Sequence, residues 1–190
     1  MGRRDFQMKL IGLAYKKGVG KDTLGGFMQT QLRCEHPGMK VKHVSFAAKL
    51  KDICFQLYGW AGLERGVYYE SHRELKEVVL PLIEISPRQI WIEVGNYLRK
   101  VYEATWIDYA LHSVKADVII ITDVRFQNEA LAIKAAGGNL IRIDRAGIPQ
   151  GTDPAETELD RWLAWDYLLD NNGTLRELNE EGIKLLAKIM

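Results

Sequence analysis

A surplus of charge of either sign is missing from this chain: 26 Lys and Arg face 25 Asp and Glu, leaving +1 over 190 residues. Proteins that coat nucleic acid take their affinity from excess basic charge, so no nucleic-acid partner is expected. Cysteine is scarce as well. Cys34 and Cys54 lack metal-ligand spacing, and two isolated thiols fit a reducing cytosol better than a disulfide framework. No apolar run reaches the length that crosses a bilayer, so no membrane partner is expected either. The stretch from Met1 to Met8 is polar and lacks the apolar core of a signal peptide. Internal repeats, low-complexity tracts and linkers are also lacking. The expectation is a cytoplasmic domain over 1–190, long enough to bury a full core.

What the chain does have is concentrated near its start. Leu10, Ile11, Leu13 and Ala14 form a short apolar run that ends in a small, basic loop of Lys16, Lys17, Gly18, Val19 and Gly20. Lys21, Asp22 and Thr23 then open a helical pattern reaching to about Arg33. In a strand–loop–helix setting of this kind, backbone N–H groups and the positive end of the helix converge on phosphate. The glycines let the backbone come close and visit positive φ. Lys21 would reach the β- and γ-phosphate oxygens as a mobile point charge. The usual pattern is G-x-x-x-x-G-K-[ST]; here Tyr15 stands at the first Gly position and Asp22 at the Ser/Thr position, with Thr23 one residue later. A plain Gly-rich turn is the bland alternative, which Lys21 beside Gly20 disfavours.

The remaining chain alternates strand and helix signals. Pro37-Gly38 ends the first helix, Val41 to Phe46 alternates as a strand, and Ala47 to Tyr58 carries a helical apolar face. Trp60, Tyr68 and Tyr69 either pack or line a base pocket. Ser86-Pro87 marks the start of a helix whose Ile90, Val94, Leu98 and Val101 face the core, and Trp106 to Val114 reads as another helix. Val118 to Ile121 is the most apolar run, a central parallel strand delivering Asp123 to its C-terminal edge. That carboxylate either organises a magnesium ion or substrate group, or caps a helix beginning near Arg125. Phe126 to Ala136 reads as helix, Leu140 to Ile143 as a fourth strand, Glu156 to Trp165 as helix and Tyr167 to Leu169 as a fifth strand. Thr174 caps a last helix through Ile189. Between them, Ala146 to Pro154 holds two glycines and two prolines and reads as a surface lid beside Arg142 and Arg145. The fold class is therefore α/β, a five-stranded parallel sheet with helices on both faces.

The pieces KKGVGKDT, SFAAKLKD, SPRQIWIEVGN, IITDVRFQNEA, GGNLIRIDR and NNGTLREL occur in an order that resembles phage-type deoxynucleoside monophosphate kinases across almost the whole chain. The resemblance implies a P-loop kinase-like three-layer fold with a helical substrate-binding insertion over 47–116 and a lid over 145–158. It implies ATP and a deoxynucleoside monophosphate as partners, Mg²⁺ as cofactor, and the host cytoplasm if the gene is a phage's; a homodimer is left open. It puts Lys16, Lys17, Gly18, Val19, Gly20, Lys21, Asp22, Thr23 and Arg142 on ATP, with Asn171, Asn172 and Gly173 near the adenine. Lys51, Arg88, Gly95, Asn96, Trp106, Asp123, Arg125 and Glu129 would surround the monophosphate. Asp22 would hold magnesium through water. Asp153-Pro154-Ala155-Glu156 stands where the family shows a His-x-Ser-Glu pattern, a departure within the lid.

Each residue has a bland reading too: Arg88 and Arg99 as solvated helix charges, Lys51 as a surface lysine, Trp106 as core. Phosphoryl transfer needs positioning and charge neutralisation rather than covalent chemistry, so Lys21, Arg125 and Arg145 are the expected catalytic groups and no base is required. Two alternatives stay open. One is another small-molecule kinase, of the dephospho-coenzyme A or phosphomevalonate type. The other is a P-loop switch or assembly protein with no phosphate acceptor.

Overall fold

A computed structural model describes residues 8–149, 151 and 154–190. Its elements are β1 (Lys9–Ala14), α1 (Lys21–Glu35), β2 (Val41–Val44), α2 (Phe46–Tyr58), α3 (Tyr68–Ser71), α4 (Pro87–Val101) and α5 (Thr105–Asp108), the last continued by a π-helical turn, Tyr109–Ser113. Then come β3 (Val118–Val124), α6 (Gln127–Ala135), β4 (Asn139–Asp144), α7 (Pro154–Thr157) with a 3-10 turn over Glu158–Arg161, β5 (Tyr167–Asp170) and α8 (Leu175–Ile189). The expected lid falls partly outside the described residues, at Gln150, Thr152 and Asp153, as does the polar segment before Met8. Backbone contacts divide the chain into two compact units, Met1–Val44 with Ile107–Met190, and Ser45–Trp106.

The first unit is built on a five-stranded sheet in the order β2-β3-β1-β4-β5, and every strand pair is parallel. Alternation along the strands sorts the apolar side chains onto two faces. Ile11, Leu13, Ile120 and Ile141 join Leu24, Met28 and Leu32 of α1 and Leu178, Leu185 and Leu186 of α8 in one buried cluster. The opposite face receives α6. A Cβ at Gly12 would stand 2.9 Å from Ile133, so glycine there lets α6 lie close to the central strand. Thr174 begins α8 with a reciprocal cap: its hydroxyl accepts from Glu177 N, and the Glu177 carboxylate accepts from Thr174 N.

In the second unit α2 and α4 pack around Cys54, Leu63, Tyr69, Ile90 and Trp91. Ser45 Oγ accepts from Ala48 N and Ser86 Oγ from Gln89 N, capping the two helices. The first cap shortens β2 relative to expectation: the strand stops at Val44 and Phe46 is already helical. Of the three aromatics considered for a base pocket, Tyr69 packs edge-on against Trp91 and Tyr68 stacks on His72, while Trp60 is exposed.

One expectation needs correction. The helix predicted over Glu156 to Trp165 ends at Arg161, and Trp162 is already extended. The chain must straighten there to pair with β4: Asp166 N donates to Leu140 O, and the Asp166 carboxylate accepts from Leu140 N. Asp123 lies inside β3, and α6 begins at Gln127 with Phe126 in the N-cap position, its backbone N–H donating to the Glu129 carboxylate.

Candidate active site

The loop between β1 and α1 sits at the C-terminal edge of the sheet, where open parallel sheets bind ligands. Gly18 and Gly20 have φ of 86° and 102°, the left-handed region that glycine enters without strain. Tyr15, at the position usually held by glycine, has φ 98° all the same. The glycine-like turn is thus kept by a residue with a Cβ. Its ring is held from above by the Arg142 guanidinium, 3.9 Å from the ring centre. Behind the loop, Asn171 is buried and donates from Nδ2 to Val19 O at 2.8 Å. A Cβ on Gly20 would meet that same amide at 2.5 Å.

Lys21 lies beneath the loop, its Nζ donating to Tyr15 O at 2.7 Å and Lys16 O at 2.6 Å. Burial pulls its pKa down to about 8, with the nearby Arg125 charge acting in the same direction. Arg125 follows β3, whose C-terminal end neighbours that of β1. Its backbone N–H donates to Glu129 Oε2 at 2.9 Å, so buried Glu129 fixes the turn that presents the guanidinium. Between loop and arginine stands Glu156. One of its carboxylate oxygens accepts from Lys17 N at 2.8 Å, the other from Arg125 Nη1 at 2.5 Å. Lys16, buried at the floor of the same loop, donates to Glu156 O and Asp160 Oδ1.

Asp22, exposed in the first turn of α1, accepts from Thr122 Oγ1 at 2.6 Å and lies 3.7 Å from His43 Nε2. Hydrogen bonding from His43 holds its pKa below the ordinary carboxylate value, with Thr122 acting the same way. Thr23 follows it, also exposed. Among the described residues no three His, Cys, Asp or Glu side chains cluster as a metal site. Magnesium commonly takes one or two carboxylates and completes its shell with phosphates and water, so one oriented Asp22 carboxylate fits that ion.

Beside the loop, Tyr15, Val19, Arg142, Arg145, Ile148 and Asn172 line a cleft of about 280 Å³. Arg142 is engaged there with both oxygens of Asp144, whereas Arg145 is exposed at the rim. Asn172 Oδ1 accepts from Ala146 N, and Gly173 leaves room for Glu177, whose carboxylate a Cβ would meet at 2.4 Å.

The candidate residues of the helical unit have these places. Lys51 Nζ donates to Glu70 and lies over the Trp91 ring; Arg88 pairs with Glu77. Gly95 lets α4 approach Leu50 of α2, Asn96 is exposed, and Trp106 is buried. Sequence reasoning did not single out Glu156, Asp160, Thr122 or His43. Only the departure from the family pattern around Asp153 to Glu156 pointed at the first.

No family model matches the chain. A protein of Acanthamoeba polyphaga mimivirus, assigned by name as a deoxynucleotide monophosphate kinase, is 32% identical over 187 residues, covering 90% of this chain and 92% of that protein. Among solved structures, shikimate kinase from Aquifex aeolicus superposes with a TM-score of 0.52 at 15% identity, covering 94% of this chain and 96% of the other. Shikimate kinase from Bacteroides thetaiotaomicron gives 0.47 at 13% identity, with 95% and 97% covered. The first likeness establishes the three-layer P-loop kinase fold.

Proposed function

The chain belongs to the deoxynucleotide monophosphate kinase family, and from that premise we propose that it transfers the γ-phosphate of ATP to a deoxynucleoside 5′-monophosphate, giving the diphosphate and ADP. The observation that carries this reading is the seat occupied by the Glu156 carboxylate. A loop N–H group and the Arg125 guanidinium hold one anion from two sides, as a transferring phosphoryl group requires.

On this reading Lys21 and the N–H groups from Gly18 to Thr23 hold the β- and γ-phosphates of ATP. The adenine enters the cleft rimmed by Tyr15, Arg145 and Asn172. Arg125 holds the acceptor phosphate in line, and Lys51, Arg88, Gly95, Asn96 and Trp106 serve the monophosphate as the family pattern implies. A phosphate oxygen of the acceptor, ionised at neutral pH, bonds to the γ-phosphorus while the bond to the β,γ-bridging oxygen breaks and ADP departs. Magnesium, held through water by Asp22, would neutralise charge on the phosphates. Arg142 and Asn171 act indirectly, by bracing Tyr15 and Val19.

The test is a coupled assay of ADP release with ATP, Mg²⁺ and each deoxy- and ribonucleoside monophosphate. Release that depends on a deoxynucleoside monophosphate supports the reading. Turnover with dephospho-coenzyme A or phosphomevalonate alone would move the protein to another small-molecule kinase class. Hydrolysis indifferent to every acceptor would make it a nucleotide switch.

A further inference from the structure

Glu156 has contacts that a surface ion pair does not need. Lys16 Nζ donates to the Glu156 backbone carbonyl and to Asp160 Oδ1, at 2.5 Å each. Gly151 closes on it from the other side, where a Cβ would stand 2.9 Å from Glu156 Cβ. Held in this way, the carboxylate spans the Lys17 N–H and the Arg125 guanidinium and uses the donors that would otherwise face a phosphoryl group. We infer that Glu156 is a built-in phosphate surrogate: it holds the anion seat, and phosphate-bearing substrates bind there only by displacing it. This rests on the kinase reading for its ligand, and the seat itself is geometry.

The reason is competition. A carboxylate and a phosphoryl group cannot share the same two donors, and two anions at that distance repel. While no substrate is bound, the surrogate keeps Lys17 N–H and Arg125 paired and oriented, so the seat is preorganised at the expense of affinity. Glu156 is therefore a determinant of phosphate affinity and not only a fastener.

The probe is inorganic pyrophosphate, which needs only the phosphate seat and no particular base. Calorimetry should show it binding Glu156→Gln about three- to tenfold more tightly than wild type, because a neutral amide competes poorly for Arg125. Glu156→Asp, one methylene short of bridging both donors, should move affinity in the same direction by less. If both variants bind pyrophosphate as wild type does or more weakly, Glu156 is a structural brace and the inference fails. The coupled assay is a separate readout: tighter pyrophosphate binding without any monophosphate-dependent ADP release would keep the surrogate and discard the kinase substrate.

Discussion

Tyr15 carries the most informative backbone in the molecule. A non-glycine residue in the left-handed region is strained by roughly 1–2 kcal/mol, and here the strain is offset by the ring's contact with Arg142. Tyr15→Ala keeps the strain and loses the ring; Tyr15→Gly loses both. The glycine variant should therefore melt higher than the alanine variant, by about 2–4 °C for each kcal/mol in a chain of this size. At an ordinary position the order would be reversed, so an alanine variant that melts as high or higher would refute the left-handed turn. Lys21 permits a titration. Its folded pKa of about 8 lies below the usual 10.5, so between those values the unfolded chain holds the extra proton. Burial of Lys21 then costs stability fully below about pH 8, and the cost fades as pH rises toward 10.5. Phosphate beside the ammonium should reverse the depression. At pH 8, ATP binding should take up about half a proton, measured by calorimetry in buffers of different ionisation enthalpy. Lys21→Arg stays charged there and should take up almost none. Equal uptake by the two proteins would mean that Lys21 does not titrate against phosphate.

At the scale of elements, what was legible followed from periodicity and caps. Val118 to Ile121, Ser86-Pro87 and Thr174 announced their strand and helices, because burial on both faces and cap chemistry are written in neighbouring residues. Where long-range pairing decided the outcome, local pattern misled. The helical pattern after Glu156 gives way at Trp162 because β4 claims Asp166, 26 residues away from Leu140. Glu129, whose motif implies a substrate contact, is buried with its carboxylate on the backbone N–H groups of Arg125 and Phe126, four and three residues away. Glu129→Ala should leave both N–H groups short of an acceptor and cost about 2 kcal/mol. Thermal unfolding should fall by roughly 4–8 °C, with Glu129→Gln losing less because its amide oxygen still accepts. A variant that melts like wild type but loses monophosphate affinity would restore the substrate-contact role.

Across the whole molecule, the site was legible as a set of cations and a loop but not as an arrangement. Lys21 and the glycines could be read from their spacing, whereas Glu156, Asp160 and Lys16 meet only through folding, and their opposite charges carried no periodic signal. The loop follows β1 and Arg125 follows β3, and those two strands are hydrogen-bonded neighbours. Under the proposed function, ATP held by the loop would leave Arg125 to the acceptor. An arginine–phosphate contact contributes on the order of 1.5–3 kcal/mol, so Arg125→Ala should lower kcat/KM for the monophosphate about ten- to a hundredfold. Removing the guanidinium also frees the Glu156 carboxylate from one of its two donors, which offsets part of that loss by easing its displacement. The loss should accordingly be larger in a Glu156→Gln background, where there is no carboxylate left to release. Under the same proposal Lys21 and the loop N–H groups remain for ATP, so Arg125→Ala should not lower ATP affinity in either background. Calorimetry with each substrate alone decides the assignment: an Arg125→Ala protein that loses ATP and keeps the monophosphate would exchange the two sides of the site.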